Sequence, residues 1–82
     1  MKINVQLFPP LKDFAGVSSV ALTMPEPATV EDMFELLGAL YPSILPFLRN
    51  SPQVVINDEM AYHLHLLHDG DVVQLRVQMF GG

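Results

Sequence analysis

Between Val30 and Tyr41 the apolar residues recur at helical spacing, with Val30, Met33, Phe34, Leu37 and Tyr41 along one stripe and Glu31, Asp32 and Glu35 away from it. Thr29 is a natural N-cap for this segment, and Asp32 stands at the capping-box position behind it. Pro42 ends it. A single main helix with one apolar stripe has to cover one face of something else, and the flanking sequence supplies that partner as strands.

Lys2 to Phe8 alternates polar and apolar residues, which predicts a half-buried strand with Ile3, Val5 and Leu7 inward. Pro9-Pro10 stops it. Leu11 to Ala15 fits one short helical turn closed by Gly16, with Leu11 and Phe14 expected to pack downward. Val17 to Met24 then reads as a second strand, close enough in sequence to pair antiparallel with the first, with Val20 and Leu22 inward. After the helix, Ser43 to Asn50 carries Ile44, Leu45, Phe47 and Leu48, so it is expected to fold over the end of the core as a covered loop with a 3₁₀ turn.

Gln53 to Ile56 is a short β-rich run, and Asn57-Asp58-Glu59 is a turn signal. Met60 to Leu66 alternates again, Met60, Tyr62, Leu64 and Leu66 against Ala61, His63 and His65, and is expected to be extended. Asp69-Gly70-Asp71 makes a tight turn before the final strand, Val72 to Met79, with Val73, Leu75 and Val77 on one face. The resulting order is ββαββ, with a short fourth strand. It implies an α+β domain of the β-grasp kind, a mixed sheet of four to five strands packed on one main helix, with the first and last strands central and parallel. The chain reads as one domain over residues 1–82, ending in a flexible Gly81-Gly82 tail.

Composition narrows the function. Half of the 82 residues are hydrophobic and 16% are charged, too apolar for a disordered segment and too interrupted for a membrane span. At this length roughly 60–65% of the unfolded surface is expected to be buried. Nine acidic against four basic residues give a net charge of −5, which argues against a nucleic-acid backbone as partner and favours basic protein surfaces. There is no cysteine, hence no thiol nucleophile, disulfide or thiolate metal site. The start of the chain has no apolar leader region, so a cytoplasmic location is expected.

Two constellations carry chemistry. His63, His65 and His68 could bring three imidazoles to a zinc or nickel ion, His63 and His65 from one face of a strand, although a solvated strand face accounts for them more simply. No metal is therefore expected. The second is the end of the chain. Phe8, Pro9 and Pro10 should lie beside the last strand and near Phe80, either as a docking patch or curled over the sheet edge. Gly81 and Gly82 give a slender backbone and an unhindered carboxylate.

Residues 8–16 (Phe-Pro-Pro-Leu-Lys-Asp-Phe-Ala-Gly), Ala28 to Asp32, Val55 to Glu59, Leu67 to Val73 and Gly81-Gly82 together resemble the MoaD/ThiS family of ubiquitin-like sulfur carriers over essentially the full chain. The helical insert after Pro10 and the covered loop after the helix are most similar to the small subunit of molybdopterin synthase. That subunit usually has prolines shortly before its glycine pair, where this chain has Arg76 to Phe80. The resemblance implies that the chain is not itself an enzyme and binds no cofactor. An E1-like partner would use ATP to adenylate Gly82, and a sulfur donor would displace AMP to leave a thiocarboxylate. Gly81 would let the tail thread into an acceptor resembling the molybdopterin synthase large subunit, and Phe8, Phe80 and Arg76 would dock partners. A protein modifier, a binding module, or a carrier for thiamine or another sulfur metabolite would need the same fold and tail.

Overall fold

The computed structural model describes residues 1–77. In chain order the elements are β1 (Lys2–Leu7), α1 (Leu11–Ala15), β2 (Ser19–Thr23), α2 (Val30–Leu40), a 3₁₀ turn (Pro42–Ile44), α3 (Leu45–Arg49), β3 (Gln53–Ile56), β4 (Glu59–Ala61) and β5 (Val72–Arg76). The five strands form one mixed sheet in the order β2-β1-β5-β3-β4. β1 and β5 are central and parallel, with Asn4 opposite Val72 and Leu7 opposite Leu75; every other pairing is antiparallel. This is the β-grasp expected from the alternation of the two end strands.

Alternation decides which strand residues meet the helix. Ile3, Val5 and Leu7 of β1, Val20 and Leu22 of β2, Val54 and Ile56 of β3, and Val73 and Leu75 of β5 are all buried. They face Val30, Met33, Phe34 and Leu37 of α2, the stripe set by helical period. The helix starts where its cap places it: the Thr29 hydroxyl accepts from the Asp32 N–H, and the Asp32 carboxylate accepts from the Thr29 N–H at 2.8 Å. It ends one residue earlier than its apolar pattern, with Tyr41 as the capping residue. Gly16 closes α1 at φ 80°, donating its N–H to the Lys12 carbonyl.

Three expectations are corrected. Phe14 does not pack downward: the inward side of the single-turn α1 is taken by Leu11, fully buried, and Ala15, half-buried against the core, and Phe14 is 58% exposed with its ring tilted against Phe47 at 5.1 Å between centroids. The segment after α2 has the expected 3₁₀ turn and covers the core, but it runs on into the helix α3 where a loop was expected. Pro42 and Pro46 both stand at the starts of these turns, where a missing N–H is no loss, and Ile44 and Leu48 are carried into the core.

The third correction concerns Met60 to Leu66, which is not one strand. β4 stops at Ala61 because the chain turns to meet the start of α2, whose first N–H groups have no partner within the helix. The Val30 N–H donates to the His65 carbonyl and the Glu31 N–H to the His63 carbonyl, while Leu67 N–H donates to Ala28. Ala61 and Leu67 are the buried anchors of this crossing, and Met60, Tyr62, Leu64 and Leu66 all stay exposed.

Candidate functional site

The parallel pairing of β1 with β5 makes the two central strands end on the same side of the domain, and residues 78–82 continue from there. β1 runs on into Phe8, whose N–H donates to the Leu75 carbonyl at 3.3 Å. One residue later in β5, the Arg76 guanidinium lies over the Phe8 ring, 4.2 Å from its centroid. The contact follows from register: Leu7 is opposite Leu75, so the next residue of each strand meets at the sheet's end. Phe8 is half-buried and Arg76 exposed. The Phe8 carbonyl also accepts from the Lys12 N–H, which ties α1 to this corner after Pro9-Pro10.

Of the residues expected to form the site, Phe8 and Arg76 are therefore brought together. Phe80, Gly81 and Gly82 lie outside the described residues. On the outward face beside Arg76, Gln6 and Gln74 are paired across β1 and β5, with the Gln74 amide donating to the Gln6 carbonyl oxygen at 3.4 Å. Val55 and Met60 extend this row across β3 and β4. The row mixes neutral polar and apolar groups without a carboxylate.

The histidines are not gathered. His63 and His65 belong to the turn that caps α2 rather than to a strand, which corrects their expected common face. The His63 ring meets Phe34 edge-on at 6.3 Å, and His68 is exposed with Nδ1 4.0 Å from the Asp71 carboxylate. Among the described residues no three His, Asp or Glu side chains are placed to hold a metal ion. Nor is any described helix long and apolar enough to cross a membrane.

Asp71 has a structural role that its place in a turn signal did not reveal. It is 7% exposed, and its carboxylate accepts from the His68 N–H at 2.8 Å and from the Asn57 side-chain amide at 3.0 Å. The Asn57 amide oxygen in turn accepts from the Val72 N–H at 3.3 Å. This pins the β3–β4 turn, where Asn57 and Asp58 both have positive φ, to the start of β5. β5 is thus fixed at its beginning by Asp71 and at its end by Phe8. The signal available in sequence was an Asn after β3 and an Asp before β5, at the same end of two neighbouring strands, too common a pair to single out.

The sequence pattern of the ThiS family matches residues 5–82. No protein of curated function matches the chain in sequence. Among solved structures, SAMP1 of Haloferax volcanii superposes with a TM-score of 0.87 at 24% identity, over all of both chains. The small archaeal modifier protein 1 of Methanosarcina acetivorans gives 0.78 at 22% identity, over 99% of this chain and 96% of that one. A chain from the complex of subunits 1 and 2 of the molybdopterin-converting factor of Helicobacter pylori gives 0.71 at 20% identity, over all of both chains. These likenesses are in fold. With a match that spans nearly its whole length, the chain belongs to the ThiS family and has that family's ubiquitin-like sulfur-carrier fold.

Proposed function

We propose that this chain carries sulfur on Gly82 for molybdopterin synthesis. The supporting observation is that the family match runs through residue 82 and so includes Gly81 and Gly82. A carboxylate is a poor electrophile, so the reaction begins with activation. The Gly82 carboxylate oxygen attacks the α-phosphorus of ATP on an E1-like partner, and pyrophosphate leaves. Hydrosulfide supplied by a sulfur donor then attacks the acyl carbon, AMP leaves, a proton is released, and a thiocarboxylate remains. In the acceptor subunit its sulfur attacks an electrophilic carbon of the pterin precursor and displaces an oxygen substituent, and water then cleaves the acyl–sulfur bond, leaving the sulfur on the pterin and restoring the Gly82 carboxylate.

This chain is a substrate and carrier, and the partners supply the catalytic groups. Glycine suits positions 81 and 82 because a Cβ at either would widen the tail and crowd attack at the carbonyl. Phe8 and Arg76 form a half-buried aromatic and an exposed cation at the end from which the tail departs, and with Phe80 they are the proposed docking contacts. The acceptor is proposed to resemble the molybdopterin synthase large subunit; the H. pylori neighbour occurs in a complex of subunits 1 and 2. The reaction would take place in the cytoplasm.

A second reading has its own support, since two of the fold neighbours are named as modifier proteins. In it the activated Gly82 carbonyl is attacked by a lysine amine instead of sulfur, giving an isopeptide. Both readings need the adenylate, and they separate at the following step. ATP–pyrophosphate exchange catalysed by the adenylating partner should depend on this chain and vanish when Gly82 is deleted. Exchange that persists without Gly82 would remove both.

A further inference from the structure

β2 is an outer strand of the sheet, and which of its backbone groups face outward follows from the bonds it makes to β1. In that antiparallel pair the Leu7 N–H donates to the Ser18 carbonyl and the Met24 N–H to the Met1 carbonyl. Bonded pairs alternate along such a ladder, so Ser18, Val20, Leu22 and Met24 turn their N–H and C=O groups toward β1. Ser19, Ala21 and Thr23 turn theirs away from the sheet. Among the described residues nothing bonds to these outward groups.

An open edge is a template for another strand, and natural sheets blunt it with charge, proline, a bulge or brevity. The opposite edge, β4, is three residues long and begins with Glu59. β2 has none of these devices: its register with β1 is unbroken, and from Val17 to Met24 the chain has no charged residue, proline or glycine. The order of the strand itself says what fits. Ser19-Val20-Ala21-Leu22-Thr23 reads hydroxyl, branched aliphatic, alanine, branched aliphatic, hydroxyl from either end. We propose that β2 pairs antiparallel with β2 of a second copy of this chain about a two-fold axis at Ala21, joining two five-stranded sheets into one. Ala21 then faces the partner's Ala21, and Ser19 faces the partner's Thr23. These are the residues whose backbone groups are free, so each facing pair exchanges two hydrogen bonds. On the solvent face each serine hydroxyl meets a threonine hydroxyl, a favourable cross-strand pair, and on the helix face Val20 meets Leu22, both buried within their own copy. The blunted β4 edges lie at the far ends of the joined sheet, so the assembly closes at two copies. Neither residues 78–82 nor the carrier reading enters this pairing.

The test is self-association of the full chain at physiological ionic strength, where repulsion between two copies of charge −5 is screened beyond about 8 Å. Sedimentation velocity from micromolar to millimolar chain should show a monomer converting to a dimer. Over the same range amide exchange at Ser19, Ala21 and Thr23 should slow in proportion to the fraction of monomer remaining, while Val20 and Leu22, bonded to β1 in either state, should change far less. Ala21→Lys and Ala21→Glu each set two like charges against one another across the axis and should each stay monomeric; mixed in equal amounts they should form a dimer again. Ala21 is exposed, so neither substitution enters the core. If either variant fails to fold, the exchange pattern of the unaltered chain decides. A chain that remains monomeric at millimolar concentration overturns the proposal and leaves the edge to a strand of another protein. A dimer that protects amides elsewhere, or that both variants retain, overturns it as well.

Discussion

The Arg76 guanidinium covers the Phe8 ring at 4.2 Å, joining the residue that follows β1 to the residue that ends β5. At a partly exposed site such a cation–π contact contributes about 0.5–1 kcal/mol. A double-mutant cycle with Phe8→Ala and Arg76→Ala should give a coupling energy in that range by urea denaturation. If these residues dock a partner, each single variant should weaken binding to the adenylating enzyme by more than it lowers stability. Unchanged affinity together with a large loss of stability would assign Phe8 to the core instead.

Phe34 tests the packing of the main helix. Its ring is 9% exposed and forms part of the stripe that meets the sheet. Truncation to alanine should cost about 3–5 kcal/mol. A loss below about half a kilocalorie per mole would be inconsistent with that burial, because even the transfer of a few methylene groups contributes more.

Thr29 tests the start of the same helix. Thr29→Ala removes the hydroxyl that accepts from Asp32 and should destabilise the domain by about 1 kcal/mol, with serine restoring most of it. Equal stability of the alanine and serine variants in thermal denaturation would mean that the His63 and His65 carbonyls, which accept from the next two N–H groups, fix the helix start without the cap.

Asp71 tests the anchoring of β5. Its replacement by alanine leaves the His68 N–H and the Asn57 amide without their acceptor and should cost about 1–3 kcal/mol. Amide exchange should accelerate first at Asn57 and Val72, the residues the network joins. Uniform acceleration along the whole sheet would show that the network does not act locally.

The elements legible in sequence were those with a long, clean period. β1 and β5 alternate over five or more residues and α2 has a full stripe with its cap, so the central pairing and the helix face followed from them. Met60 to Leu66 shows the limit of the same reasoning. Its alternation is as regular, yet the unpartnered N–H groups of Val30 and Glu31 draw the chain out of the sheet after Ala61, a demand from another element that no local pattern expresses. Phe14 differs for a related reason: the inward side of a five-residue helix is a single i, i+4 pair, and Leu11 and Ala15 fill it. At the candidate site, the meeting of Phe8 with Arg76 depends on the β1–β5 register, so sequence could suggest that they belong together but not their contact.

The most direct test of the account is the mass of the C-terminal peptide after incubation with the adenylating partner, ATP and a sulfur donor. The account predicts a gain equal to replacing one oxygen by sulfur, located at Gly82 and abolished both by deleting Gly82 and by extending the chain beyond it. Deleting Gly82 should leave the melting temperature essentially unchanged. An intact Gly82 that never gains sulfur with its cognate partner, while forming an isopeptide with a lysine, would contradict the carrier function and establish the modifier function in its place.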